Sequence, residues 1–243
     1  MVASSERRSS VRHSQLWDRL QTVLPADAKV LDIGGGTGGL AVPIAEQGAT
    51  VRVIDPSPDA LAALDRRARE AQVSERVIGQ QGDVFSLGSM VEAGSVDLVL
   101  CHGVLDVVGE PARGLAQIAT ALKPGGLVSL VLAQRHAAVI ARAMAGHFAQ
   151  AAGLLDEVGA PEAGGRGVRY RYTAEEAAAL LGEAGFAVEA VHGLRVFADL
   201  VPGSLIDLEP GSAAALADLE AAVAGRPEYL PLASQVHLLA HKL

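Results

Sequence analysis

Val30-Leu-Asp-Ile-Gly-Gly-Gly-Thr-Gly-Gly-Leu40 joins a strand-length apolar run to a cluster of glycines and then to helix-forming sequence. Glycines directly after a first strand let the backbone approach a ligand closely, and the helix that follows presents its unpaired N–H groups. The spacing admits two patterns. Gly34, Gly36 and Gly38 fit G-x-G-x-G, whereas Gly34, Gly36 and Gly39 fit the dinucleotide pattern G-x-G-x-x-G. A tight β–α turn without a ligand needs fewer glycines than this. Asp55, at the end of the next apolar run, sits where an acid would accept hydrogen bonds from ribose hydroxyls under either pattern.

Outward from this loop, strand-like and helix-like segments alternate. Leu40 to Gln47 reads as a helix, Thr50 to Ile54 as a strand, Pro58 to Gln72 as a helix with Ala60, Leu61 and Leu64 inward, and Arg76 to Ile78 as a short strand. Val96 to Leu100 and Leu127 to Ala133 read as strands, separated by a helix from Pro111 to Leu122 that Lys123-Pro-Gly-Gly126 stops. Such alternation predicts a parallel sheet covered by helices on both faces. Before it, Leu16, Trp17, Leu20, Val23 and Leu24 recur at helical spacing up to Pro25. After it, Ala137 to Ala152 reads as one helix and Gly153 to Gly167 as a loop. Thr173-Ala-Glu-Glu176 is a capping box opening a helix to Glu183. Val188 to Phe197 is strand-like, Ser212 to Ala224 helical, and Val236 to His241 a terminal strand. The expected organisation is one domain over 1–243. It comprises a tail and helix over 1–29, a ligand-binding core over 30–133, and acceptor-side helices with the final strands over 134–243.

Composition narrows the functional classes. The 243 residues are 50% hydrophobic with a single cysteine, Cys101, so no internal disulfide is possible, and no Cys/His cluster has zinc spacing. The expectation is an intracellular, cytoplasmic protein without a bound metal. Met1 to Ser10 is polar and lacks the apolar stretch of a signal peptide, and runs such as Leu127 to Ala133 are too short to span a bilayer, so no membrane partner is expected. A net charge of −8 argues against a broad nucleic-acid surface, and 3% aromatic residues leave few platforms for stacking a base.

The ordered set of motifs is what identifies a family. Asp32 lies in the first strand, Gly82-Asp-Val84 follows the third, Cys101-His-Gly-Val-Leu105 follows the fourth, and Leu122-Lys-Pro-Gly-Gly126 precedes the fifth. At these residues the chain resembles the class I S-adenosylmethionine-dependent methyltransferases. That resemblance implies a Rossmann-like α/β fold: a seven-stranded sheet, last strand antiparallel, helices on both faces. Val236 to His241 would supply the antiparallel strand. It also implies S-adenosyl-L-methionine as cofactor. Gly34, Gly36 and Gly38 would pass its amino-acid portion and ribose, and Asp55 would accept from the ribose hydroxyls. Asp83 would accept from the adenine amine with Gly82 and Val84 nearby, and Asp32 would orient the loop or meet the ammonium through water. Asp83 reads equally well as a helix N-cap.

Further segments recur in a narrower family. Val11-Arg-His13, Cys101-His-Gly-Val-Leu-Asp106, Met144-Ala-Gly-His-Phe148, Gly193-Leu-Arg-Val-Phe-Ala-Asp199 and Arg226-Pro-Glu-Tyr229 are similar to the bacterial tRNA carboxymethoxyuridine methyltransferases. Their chemistry is esterification of a carboxylate on a modified wobble uridine. The resemblance implies that Arg12 meets the cofactor carboxylate, that Cys101 and His102 border the cofactor, and that Arg195 stands near the acceptor. Arg195, between Leu194 and Val196, needs an anion, either an internal acid or a substrate carboxylate. His102 reads as a cofactor-packing or hydrogen-bonded histidine more readily than as a proton-transfer group. Tyr170, Tyr172 and Tyr229 either line a pocket or pack. Unlike that family, which carries a Lys-rich stretch here, 153–167 holds Asp156, Glu157 and Glu162 against Arg166, leaving Arg166, Arg169 and Arg171 as a small basic group. The expected acceptor is therefore a tRNA carboxylate or a small carboxylic acid. Two other readings stay open on the residues alone: a nicotinamide-dependent oxidoreductase, from the alternative glycine spacing, and a cofactor-binding module without turnover.

Overall fold

A computed structural model describes residues 15–25, 27–156, 159–161, 168–206 and 210–243. The chain begins with α1 (15–23), then β1 (Lys29–Ile33), α2 (Ala41–Glu46), β2 (Thr50–Asp55), α3 (Pro58–Glu70), β3 (Val77–Gln81), α4 (Leu87–Met90), β4 (Val96–His102), α5 (Pro111–Ala121) and β5 (Leu122–Ala133). There follow α6 (Arg135–Met144), α7 (Phe148–Gly153), a small pair β6 (Gly159–Pro161) and β7 (Val168–Tyr170), α8 (Ala174–Glu183) and β8 (Phe186–Leu194). The last elements are α9 (Gly203–Ile206), α10 (Ser212–Val223), a 3-10 turn at Pro227–Leu232 and β9 (Gln235–Lys242).

Seven strands form one sheet in the order β3-β2-β1-β4-β5-β9-β8. The strands from β1 to β5 pair in parallel, while β9 runs antiparallel between β5 and β8. The expected fold class, with a reversed last strand near Val236 to His241, is therefore what the chain adopts. The apolar runs explain why. In β4, Leu98, Val99, Leu100 and Cys101 are all fully buried, as a strand covered on both faces requires. One face carries a cluster with α5 and α8, including Leu105, Leu115, Ile118, Ala177 and Leu181. The other carries α1, α2 and α3 through Leu16, Leu20, Ile44 and Leu64. Among the described residues no helix is long and apolar enough to cross a membrane.

Several boundaries differ from expectation. Cys101 and His102 are the last residues of β4 and do not follow it. The helix read over Ala137 to Ala152 is two helices, because Gly146 takes a left-handed φ of 78° and the His147 N–H closes back on the Arg142 carbonyl. The strand read over Val188 to Phe197 begins and ends earlier. Leu194 is its last residue and Arg195 has φ 54°, so the arginine lies on a turn and not in an apolar strand. The capping box forms as read: Thr173 Oγ1 accepts from the Glu176 N–H, and Glu176 accepts from the Thr173 N–H.

Candidate active site

The order of connections reverses between β1 and β4. Chain from β1 continues outward to β2 and β3, whereas β4 leads the other way to β5. Open α/β sheets hold ligands at the carboxyl ends of strands beside such a reversal. There the glycine loop leaves β1, with Ile33 paired to Cys101. Gly34 has φ 69° and its N–H donates to the Ile54 carbonyl at 2.7 Å. A Cβ on it would lie 2.6 Å from Val104 Cγ2, and one on Gly38 (φ 80°) would lie 2.3 Å from Leu64 Cδ1. Side chains are thus excluded at Gly34 and Gly38 by both conformation and space.

Asp55 ties this loop to β2. Its Oδ2 accepts from the Gly36 N–H and its Oδ1 from the Ser57 N–H, each at 2.9 Å, and the residue is buried. Each oxygen keeps a second lone pair for a hydroxyl donor. Asp32 is buried directly beneath the loop: a Cβ on Gly35 would meet its Oδ2 at 2.4 Å. Gly82 donates to the Asp55 carbonyl, bringing the end of β3 alongside. Asp83 Oδ1 accepts from the N–H groups of Phe85 and Ser86 at 2.9 Å, which closes a turn ahead of α4, whose N-cap is Ser86; Asp83 is therefore not a helix cap, and it is exposed. Val84 is fully buried beneath it.

A cavity of about 160 Å³ opens between the loop, α1 and β4, lined by Leu16, Asp32, Gly34, Gly35, Gly39, Leu40 and His102. A larger space of about 290 Å³, lined by Lys29, Thr50, Arg52 and Val96 among others, lies at the opposite, amino ends of the strands, away from this chemistry. His102 turns its Nε2 to Ser129 Oγ at 2.8 Å. Cys101 points to the other face of the sheet, fully buried. Burial and the nearby Asp106 and Asp32 push its thiol pKa up, so it is no nucleophile. Arg12 lies outside the described residues.

Arg195 meets Asp199 at 3.1 Å, so the internal acid is present. Its turn is held by a residue that the sequence did not single out. Glu220, completely buried in α10, accepts from the N–H groups of Val196, Phe197 and Ala198 at 2.8, 2.8 and 2.7 Å. Tyr170 and Tyr172 stack with ring centroids 6.3 Å apart, and Tyr229 meets Phe197 edge to face, so these tyrosines pack. Arg169 and Arg171 are half-buried and engaged with other groups. Among the described residues no group of His, Cys, Asp or Glu could hold a metal ion.

The loop, its two carboxylates and the cavity fit a nucleoside cofactor with an amino-acid tail, and comparison with known proteins says which. Residues 6–191 match the methyltransferase domain family, and the chain belongs to it. It is an S-adenosylmethionine-dependent methyltransferase, which removes the nicotinamide reading. The tRNA 5-carboxymethoxyuridine methyltransferase of Escherichia coli K12 is 29% identical over 97% of this chain and 89% of its own. The ubiquinone biosynthesis O-methyltransferase of Ralstonia nicotianae is 35% identical, but over 49% of this chain and 50% of its own. Among solved structures, an S-adenosylmethionine-dependent methyltransferase from Mesorhizobium loti superposes with a TM-score of 0.61 at 19% identity, covering 94% of this chain and 98% of that one.

If Asp55 receives the cofactor's hydroxyls, Asp55→Ala should weaken S-adenosylhomocysteine binding roughly 10- to 100-fold, the range for hydrogen bonds to a charged group. Titration calorimetry reads this directly, and an unchanged affinity would remove Asp55 from the ribose site.

Proposed function

We propose that this methyltransferase acts in the cytoplasm and esterifies a carboxylate, with the carboxymethoxyuridine of a tRNA wobble position as the leading acceptor. The observation that carries this is the extent of the likeness to the E. coli tRNA enzyme. It runs through the acceptor-side half beyond β5 as well as through the cofactor core, whereas the likeness to the ubiquinone enzyme covers only about half of each chain.

The site chemistry supports a carboxylate. Bound S-adenosylmethionine supplies a methyl group on a cationic sulfur, already activated for displacement. An ionised carboxylate is a competent nucleophile at neutral pH and needs no general base, so the protein's task is alignment, which contributes roughly 7–11 kcal/mol in well-oriented reactions. In this reading Asp55 and Asp83 hold the nucleoside, Asp32 and Gly34 to Gly38 shape the space for the amino-acid tail, and Arg12 reaches its carboxylate. His102 borders the reacting end. Arg195 shares its five guanidinium donors between Asp199 and the acceptor carboxylate.

A small carboxylic acid is the second acceptor, favoured by the net charge of −8 and by the engagement of Arg169 and Arg171. Tritiated methyl transfer into the tRNA and small-molecule fractions of one cell extract separates the two. In either fraction the label should be released as volatile methanol by mild base, as a methyl ester requires; base-stable label overturns the carboxylate reading. Arg195→Ala should lower kcat/KM for the labelled acceptor roughly 10- to 100-fold, the loss of a charge-assisted contact. S-adenosylhomocysteine affinity should hold. Equal loss of both would end the acceptor role of Arg195.

A further inference from the structure

His102 is the first member of a buried polar row that crosses the sheet. In register, His102 pairs with Val131 of β5, Val131 with His237 of β9, and His237 with His192 of β8. Ser129, two residues before Val131, therefore points to the same face. Its Oγ lies 2.8 Å from His102 Nε2 and 2.9 Å from His237 Nε2. Ser129 and His237 are 0% and 1% exposed, and the His192 ring stacks on His237 at 5.5 Å. Leu16 and Leu20 of α1 share the apolar cluster of Val131 on this face.

The hydrogen count in this row is restrictive. Ser129 owns one hydroxyl proton, so it donates to one imidazole and must accept from the other. If it donated to His237, that ring would carry its proton on Nδ1, which is buried with no partner. An orphaned buried N–H is rarer than an orphaned acceptor. In the reverse arrangement His237 donates from Nε2, its bare Nδ1 is an unpaired acceptor, and Ser129 donates to His102 Nε2. The proton of His102 then sits on Nδ1. Neutral rings suit the row, because burial, the neighbouring imidazoles and the Arg19 guanidinium hold His237 well below the usual histidine range.

We infer that Ser129 and His237 are positioning residues that lock His102 as the Nδ1–H tautomer, so that the histidine at the cofactor cavity is a hydrogen-bond donor and not a base. This rests on the methyl-transfer reading for its purpose, since a neutral donor can orient a carboxylate or cofactor oxygen while taking no proton from an acceptor. Its geometry rests on nothing but the row itself. Gly103, Val104 and Leu105 follow immediately, so the ring's orientation is set at the point where β4 gives way to the loop.

The test is two-bond 15N correlation of the histidine rings in the full chain at neutral pH, with S-adenosylhomocysteine bound. His102 in the unsubstituted protein should show a pyrrole-type Nδ1 and a pyridine-type Nε2; the opposite pattern, or a doubly protonated ring, overturns the inference. Ser129→Ala should release the lock and shift His102 to a mixture of tautomers. His237→Gln keeps an N–H donor near the Nε2 position and should preserve the wild-type pattern, whereas His237→Leu should lose it. Identical His102 spectra across Ser129→Ala and His237→Leu would also overturn it. The measurement on the unsubstituted chain needs no variant to fold and no methyl acceptor, so it stands or falls separately from the proposed esterification.

Discussion

Replacing Glu220 by alanine is expected to destabilise the fold by roughly 3–5 kcal/mol, the cost of stripping three backbone N–H groups of their shared acceptor. The carboxylate is completely buried and is the common acceptor for three consecutive backbone N–H groups, Val196 to Ala198. Alanine leaves those donors without their acceptor, and each unsatisfied buried group costs about 1–3 kcal/mol. For a chain of this size the melting temperature should fall by roughly 6–20 °C. Asp218, exposed on the same helix, is the control, since a surface change there should stay within about 0.5 kcal/mol. A Glu220→Ala melting point no lower than that of Asp218→Ala would remove Glu220 from the core architecture. The consequence for function lies in what the three amides hold. Arg195, with its left-handed φ of 54°, immediately precedes them and Asp199 immediately follows, so Glu220 sets the geometry of the arginine–aspartate pair that the proposed function puts beside the acceptor. In a variant that still folds at low temperature, acceptor use should fall before cofactor affinity does.

Glu220 also shows where sequence reading stops. In Ser212-Ala-Ala-Ala-Leu-Ala-Asp-Leu-Glu220 an acid four residues from a helix end looks like any solvated helical glutamate, and its partners lie more than twenty positions away. Ser129 and His237 are separated by 108 residues, and each looks like an ordinary position in an apolar strand until the sheet order puts β9 beside β5. By contrast, the glycine loop, Asp55 and the capping box at Thr173 were legible because their partners are local or lie on the adjoining β–α unit. The core strands were legible because parallel strands covered on both faces must be continuously apolar. The limits of β8 were not. Val196 and Phe197 are apolar and continue the strand pattern, and only the positive φ of Arg195, sustained by a distant glutamate, ends it. The break between α6 and α7 did carry a local signal, Gly146, which apolar periodicity alone overrode.

Acidification from pH 7 to pH 5 is expected to remove about 3–4 kcal/mol of stability through two histidines. Burial and the Arg19 charge lower His192 to about 4, and His237 is pushed well below the ordinary value chiefly by burial. Both are therefore neutral in the folded chain across this range. In the unfolded chain they take up protons as the pH falls through about 6.5. The unfolded state thus binds more protons, and stability falls with pH at up to about 1.4 kcal/mol per unit for each ring. The contribution is complete above about pH 7, where both states are neutral, and would cease to change only below the folded-state values. Between pH 7 and 5 each ring accounts for about 2 kcal/mol, somewhat less for the partly exposed His192. Urea midpoints at the two pH values measure the total, and His237→Gln, which cannot titrate, should flatten the dependence by about half. A flat midpoint in the unsubstituted chain, or an undiminished slope in the variant, would mean that the rings take up protons as readily in the folded chain as in the unfolded one. The same neutrality underlies the assignment of His102 as a donor: a charge on His102 would put a proton on its Nε2 as well, and Ser129 could then no longer donate to it.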